Sequence, residues 1–396
     1  MPIAFPVLRP MNNRPPPAVP EPADTLAILT PRWGSPSETF IRRNLTSVLP
    51  GRTVAMSRKI FDPNWCRDVP LLSIREIPEF ATDQLARVFG QWRFDRRSRA
   101  LRQFLKEHHV TVAKGEWLNF AAMWFPNLRG LGIRFFAHAR GYDTSAKALR
   151  NPWYRFLYRR LADMDGVIAV SHLIKQRLHE TLRLDPDKIH VIPSGADIPP
   201  ELPARPETEH IICLSVGRMV EKKAPLNTLK AFQGAYRACS RLRLEFIGAG
   251  PLRSACETYC REHGLSDAVV FHGSKPHAFV KERLARADIF LLHSVTAANG
   301  DEEGLPGSIL EGMAYGLPVV STRHAAIPEA VVEGETGFLV AEHDALAMGG
   351  RIADLAKQPA LRRQMGEAGR QRAARLFSAE QTVRRLREVL LGVSGV

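Results

Sequence analysis

The 396-residue chain has only five cysteines, no long apolar run and, through its first half, few acidic residues. Cys66, Cys213, Cys239, Cys256 and Cys260 are an odd number scattered through a large chain, which argues against a disulfide framework and for reduced thiols. Cys256 and Cys260 are four apart on an expected helix, but no His or Cys at metal-site spacing accompanies them, so no zinc site is expected. Apolar runs such as Ile289–Leu292 fall far short of the ~20 residues that span a bilayer. The N-terminus lacks a charged start leading into an apolar core, so no secretory signal is expected either. These absences together predict a cytoplasmic protein. Zinc-finger spacing and an RNA-recognition aromatic motif are also missing, which argues against a nucleic-acid-binding protein despite the basic composition.

Residues 1–200 carry 30 Lys and Arg against 18 Asp and Glu, whereas residues 201–396 carry 25 against 23. The positive excess therefore belongs to the first half. It points to an anionic partner there (a membrane surface, a phosphorylated molecule or nucleic acid) or to a plain solvated face.

Residues 1–24, with Pro15-Pro16-Pro17, read as a disordered tail. Strand-like runs then recur at Thr25–Thr30, Thr53–Met56, Val110–Ala113, Ile133–Ala137, Gly166–Val170 and Lys188–Ile192. Helix-period segments lie between them at Thr82–His108, Pro152–Asp163 and His172–Leu182. A Pro/charged stretch from Pro199 to about His210 breaks the pattern and is the best linker. Strands then return at Ile211–Val216, Leu242–Ile247, Ala268–Phe271, Asp288–Leu292, Leu317–Ser321 and Gly337–Val340. Alternating strands and helices predict two α/β halves, each a doubly wound parallel sheet, over residues 25–200 and 208–376. A last helix, 377–396, is expected to pack back on the first half. Ligands of such sheets sit at the carboxyl ends of the strands, here in the cleft between the halves.

Several motifs fall at those strand ends. After Ile211–Val216 come Gly217, Arg218 and Lys223, two cations within reach of one anion. Leu242–Ile247 ends in Gly248-Ala249-Gly250-Pro251, and Ala268–Phe271 ends in His272-Gly273-Ser274-Lys275. The most informative stretch is Asp301–Val320. Glu303 and Glu311 flank a Gly304-Leu305-Pro306-Gly307-Ser308 turn that opens a helix. A helix N-terminus favours a phosphate, while carboxylates accept hydrogen bonds from hydroxyl groups. Phosphate and polyol side by side are what a nucleotide-sugar site requires.

The basic run at 217–223, the Gly248-x-Gly250-Pro251 turn and Glu303-x7-Glu311 resemble the retaining glycosyltransferases of family GT4, which have the GT-B fold. Ser37-Glu38-Thr39-Phe40-Ile41, Gly141-Tyr142-Asp143 and Leu317–His324 are similar to the branch that builds colanic-acid-type exopolysaccharides. The resemblance covers roughly residues 25–390. It implies that Arg218 and Lys223 neutralise the donor diphosphate, with backbone amides at Gly307 and Ser308 adding donors. Glu311 would accept from ribose hydroxyls and Glu303 would contact the donor sugar. Gly217, Gly248, Gly250, Ser274, Gly304 and Leu305 would complete the donor site. No metal or other cofactor is expected, because the Arg/Lys pair does that work and no Asp-x-Asp stands among the motifs.

One departure from the resemblance concerns the first half. Where relatives carry His-Gly-x-Asp, Arg140 precedes Gly141 and Asp143, and the nearest histidine is His138. Either His138 takes the catalytic role after a local shift or the role is changed here. Ser37, Glu38, Thr39, Arg140, Gly141 and Asp143 are assigned to the acceptor side. The acceptor implied is a polyprenyl-diphosphate-linked oligosaccharide at the cytoplasmic face of the inner membrane. Two basic helices, Phe94–Lys106 with the stripe Phe94, Leu101, Phe104 and Leu105, and Tyr154–Arg160, are candidates to lie on anionic lipid. For the first, the favoured reading is that its stripe faces the core while its charge still attracts lipid or the acceptor diphosphate. A nucleotide-sugar epimerase or hydrolase on the same fold is the second reading.

Overall fold

The computed structural model describes residues 24–35, 38–77, 95–202 and 209–393. The Pro-rich tail, Ser37, Phe94 and the linker residues 203–208 lie outside the described residues.

Seven parallel strands form the first described sheet: β1 (Leu26–Trp33), β2 (Thr53–Ile60), β3 (Leu71–Ser73), β4 (Val112–Glu116), β5 (Arg134–Ala139), β6 (Gly166–Ala169) and β7 (Ile189–Val191). Their spatial order is β3-β2-β1-β4-β5-β6-β7. The second sheet has β8 (Ile211–Val216), β9 (Leu242–Ile247), β10 (Val269–Gly273), β11 (Ile289–Leu292), β12 (Val319–Thr322) and β13 (Gly337–Val340), in the order β10-β9-β8-β11-β12-β13. Near-continuous apolar strands such as Ile289–Leu292 are wholly buried, as strands covered on both faces must be. In both sheets the winding reverses beside the first strand, between β1 and β4 and between β8 and β11. A crevice opens there beyond the carboxyl ends.

The structure corrects one sequence expectation and bears out another. The helix expected from Thr82 to His108 does not run unbroken. Asp95 is extended, and its side chain accepts from the Ser98 N–H, so a helix begins at Arg96 and ends at Glu107. Leu101 and Leu105 on that helix are buried and Phe104 packs against the same core, so its apolar stripe faces the protein and not lipid. The edge strand β3 is an addition, too short at three residues to show a period. Cys256 and Cys260 share the buried face of helix Arg253–Glu262, where burial pushes their thiols up to about 12 and about 11.

The chain crosses between the halves twice. Arg370 ties down the first crossing by donating to the carbonyls of Pro199 and Pro200. At the second, Ala196 and Ser378 form a bridge, and the helix Ala379–Leu391 returns to the first sheet. There Leu386 and Leu390 join a core with Leu26, Ile28 and Ile41, and Arg387 Nε donates to the Val48 carbonyl at 2.9 Å.

Candidate functional site

The second-half wall of the cleft is made by loops at the carboxyl ends of β8, β9 and β10, together with the segment between β11 and β12. Gly217, Arg218, Lys223, Gly248, Ser274 and Glu303 line it, as do Gly304, Leu305, Gly307, Ser308 and Glu311. Gly250 stands just behind. A Cβ on Gly248 would lie 1.9 Å from the Gly217 carbonyl oxygen, and one on Gly250 2.4 Å from that of Met219. Glycine at both positions lets two loops stack backbone on backbone and bring Arg218 to the cleft. Arg218 is exposed and has no ion pair among the described residues. Lys223 Nζ stands 3.2 Å from Glu303 Oε1. Burial pulls the Lys223 ammonium down against the pull of Glu303. Burial also pushes the Glu303 carboxyl up, but Lys223 and Lys222 together outweigh it and hold the group below the usual carboxylate range.

Two residues outside the expected set fix this segment. Lys222 Nζ donates to Asp301 Oδ1 (2.9 Å) and to the Glu302 carbonyl (3.1 Å). The Glu303 N–H donates to His324 Nε2 (3.2 Å), and the other nitrogen of that ring, Nδ1, bonds Glu342 Oε1 at 2.7 Å. The helix Gly307–Ala314 starts at Pro306 without a side-chain cap, leaving its first N–H groups toward the cleft. Glu311 on that helix is held by His277, whose Nε2 lies 2.9 Å from Oε1.

The first-half wall rests on a buried charge cluster that sequence reading missed. Glu116, at the end of β4, receives Lys114 Nζ at 2.5 Å on Oε1 and Arg140 Nε at 2.9 Å on Oε2. Burial alone would raise its pKa, but Arg140 and Lys114 outweigh this and keep the carboxylate ionised. Burial pulls Lys114 down to about 8. Arg140 also donates to Ser194 Oγ (3.0 Å) and lies over the Phe40 ring. His138 is 2% exposed and lies beneath the cleft wall. Its Nδ1 faces two donors, Lys114 Nζ and Arg140 Nη2, both at 3.3 Å, which makes Nδ1 an acceptor and places the proton on Nε2. Burial and those two cations hold the ring neutral. Asp143 is fully buried and accepts from the N–H groups of Leu118, Arg140 and Gly141 (2.8–3.1 Å), so it shapes the loop that presents Arg140.

The two walls touch backbone to backbone. A Cβ on Gly304 would lie 1.8 Å from the Arg140 carbonyl oxygen, and one on Gly141 2.7 Å from the Gly304 nitrogen. Glu302 reaches across to Arg177 (2.5 Å), and Glu329 accepts from the N–H groups of His172 and Leu173, at the start of helix His172–Leu182. A carboxylate of one half thus caps a helix of the other. Gly304→Ala is expected to hold the halves apart by about an ångström and to lower turnover by about 10²-fold. Gly234→Ala, in open space on a helix, is the control that leaves turnover intact. Steady-state assays of both variants, with small-angle scattering for the separation, test this.

Two family models match the chain: Glycosyltransferase Family 4 over residues 64–198 and Glycosyl transferases group 1 over residues 201–372. Together they take in the second-half wall and the part of the first-half wall that holds Arg140 and Gly141. The chain belongs to glycosyltransferase family 4. The WcaL protein of Escherichia coli, named for colanic acid biosynthesis, is 36% identical over 238 residues, which is 57% of this chain and 57% of that one. AmsK of Erwinia amylovora, named for amylovoran biosynthesis, is 36% identical over 177 residues, 45% of this chain and 44% of that one. The matches thus span about half the length of these relatives. Among solved structures, Anabaena HepE in complex with UDP and glucose superposes with a TM-score of 0.76 at 15% identity, covering 92% of this chain and 99% of that one. That likeness gives the fold, GT-B.

Of the residues the family resemblance singled out, the donor set gathers on one wall. On the other wall, Glu38, Thr39, Arg140 and Gly141 line the cleft, while His138 and Asp143 stand behind it. His138 therefore has no surface from which to meet a substrate, and Arg140 occupies the wall where the family histidine was expected. Two Asp-x-Asp triplets do occur in this family 4 chain, Asp163-Met164-Asp165 and Asp185-Pro186-Asp187, but neither is at the cleft. Asp163 pairs with Arg129, Asp165 accepts from the Phe135 N–H, and Asp185 caps the turn Pro186–Lys188.

Glu38 is the unusual carboxylate of the cleft. It is 5% exposed, Arg32 Nε stands 3.4 Å from Oε1, and Oε2 has no hydrogen-bond partner among the described residues. Burial lifts its pKa from 4.5 to about 7, against the pull of Arg32. The folded chain therefore holds a proton that the unfolded chain releases between about pH 4.5 and 7, and stability falls as pH rises through that window. Glu38→Gln removes the penalty. Its urea stability should exceed that of the parent by on the order of 2 kcal/mol at pH 8 and by little at pH 5. An equal gain at both pH values would show that the carboxyl is not protonated in the fold.

Proposed function

We propose that the protein moves a hexose, with retention of configuration, from a UDP- or GDP-sugar to a polyprenyl-diphosphate-linked oligosaccharide in exopolysaccharide biosynthesis. The observation that carries this is the Lys223–Glu303 pair beside the exposed Arg218, facing the uncapped helix that bears Glu311. Arg218 and Lys223 take the diphosphate, whose leaving oxygen gains charge as the glycosidic bond breaks. Lys223 then exchanges part of its pairing with Glu303 for the phosphate, and Glu303 turns to the sugar hydroxyls. The amides at Gly307 and Ser308 add donors, and Glu311 accepts from the ribose. No metal is assigned a part. The UDP bound by HepE and the exopolysaccharide names of WcaL and AmsK support the reading.

No helix among the described residues is long and apolar enough to cross a membrane. A surface for the lipid is offered by the helix Pro152–Tyr158. Trp153 and Phe156 are 56% and 51% exposed, stacked at 5.7 Å, and flanked by exposed Arg155 and Arg159. Aromatic rings beside cations suit the interface of an anionic bilayer at the cytoplasmic face.

The test is a donor screen with purified protein across UDP- and GDP-sugars, with and without lipid extract, followed by NMR of the anomeric centre. Donor consumption should rise at least tenfold with the acceptor and give a product with the donor's anomeric configuration. Full consumption without acceptor would favour the epimerase or hydrolase reading, and an inverted product would overturn retention.

A further inference from the structure

Beside the cleft lies a second cavity of about 690 Å³, at the carboxyl ends of β1, β2 and β3. Arg32, Arg58, Lys59, Arg75 and Arg97 line it. The one carboxylate among its described lining residues, Asp95, is 2% exposed and already committed: Oδ1 accepts from the Ser98 N–H (2.9 Å) and Oδ2 from the Ser98 hydroxyl (2.5 Å). Arg58, Lys59 and Arg75 have no carboxylate partner among the described residues. Trp124 also lines the cavity, 8% exposed, and among the described residues its buried indole N–H has no acceptor. A buried donor without an acceptor is costly, and so is a group of cations held together without a counterion. The second cost is met by one polyanion with several acceptor oxygens. The helix Arg96–Glu107 opens at the cavity and adds the positive end of its dipole.

This cavity borders the cleft. Pro31, Arg32, Arg58 and Met123 belong to the walls of both. An anion seated here therefore lies beside the part of the cleft lined by Glu38 and Arg140. We propose that this cavity seats the diphosphate by which the acceptor is attached to its lipid, while the acceptor's sugar end lies in the cleft. The assignment rests on the transfer proposed above. Guanidinium groups grip phosphate oxygens in pairs, and Lys59 adds a point charge. A sugar carboxylate, with a single charge and two oxygens, satisfies less of this lining.

The experiment is calorimetric titration of the full chain with inorganic pyrophosphate while UDP or GDP saturates the donor site, so that the probe cannot enter there. Pyrophosphate should bind, and glucuronate at least tenfold more weakly. The double variant Lys59→Glu/Arg75→Glu, at two exposed positions, should weaken pyrophosphate binding at least tenfold, and Lys59→Ala/Arg75→Ala should do so by a smaller factor. In assays, the same variants should raise KM for a short-chain polyprenyl-diphosphate sugar more than for the same sugar without diphosphate. Pyrophosphate binding that is absent, or unchanged in both variants, overturns the inference, as does glucuronate binding the tighter. Failure of both UDP and GDP to bind overturns the transfer reading itself, so the two failures are told apart within one titration.

Discussion

Glu116→Gln is expected to cost the fold about 3–5 kcal/mol, because it strips the counter-charge from two buried cations. Lys114 is fully buried and Arg140 nearly so, and Glu116 is the acidic group in contact with both. The neutral amide keeps the shape but leaves two positive charges facing each other beneath the cleft. Lys114, already drawn down to about 8, would then give up its proton and limit the loss. Adding Lys114→Met to Glu116→Gln should therefore restore more than about 1 kcal/mol, a coupling that urea unfolding of the single and double variants measures. Additive losses would mean that the ion pair contributes no more than its packing. Turnover should fall as well, since the Arg140 guanidinium is held at the wall by Glu116 and Ser194.

Arg218→Ala separates chemistry from stability. Arg218 is exposed and makes no ion pair among the described residues, so its removal should shift unfolding by less than about 0.5 kcal/mol. If its charge meets the leaving diphosphate, kcat should fall by about 10²–10³-fold with little change in the donor KM. A raised donor KM at unchanged kcat would show that Arg218 only holds the ground state. Lys223→Ala cannot make the same distinction, because it also leaves Glu303 beside a single, more distant cation, Lys222 at 3.8 Å.

Much of the fold is legible in the chain because its strands are apolar runs between turn residues. Ile211–Val216, Leu242–Ile247 and Gly337–Val340 have the same bounds in the sequence reading and the structure, as does the helix His172–Leu182 with Ser171 at its cap. The second-half wall, the proposed donor wall, is legible for the same reason: its glycines and cations sit where apolar runs stop. The Lys114–Glu116 pair fails that test. Charged residues at the end of β4 look like the end of the strand, and the sequence reading stops it at Ala113. Only the close approach of Arg140 makes their burial tolerable. The contact of Gly141 with Gly304 joins loops far apart in the chain, and nothing local in either loop announces it.

The helix Ala379–Leu391 also sets a schedule for the newborn chain. The apolar face around Leu26, Ile28 and Ile41 receives Leu386 and Leu390 last, after the whole second half has been synthesised. At ~5–20 residues per second, that face waits roughly 10–40 s on the ribosome without its cover. A stop codon just before this helix would spare every residue of the donor wall, yet leave the nascent first half exposed to chaperones and aggregation.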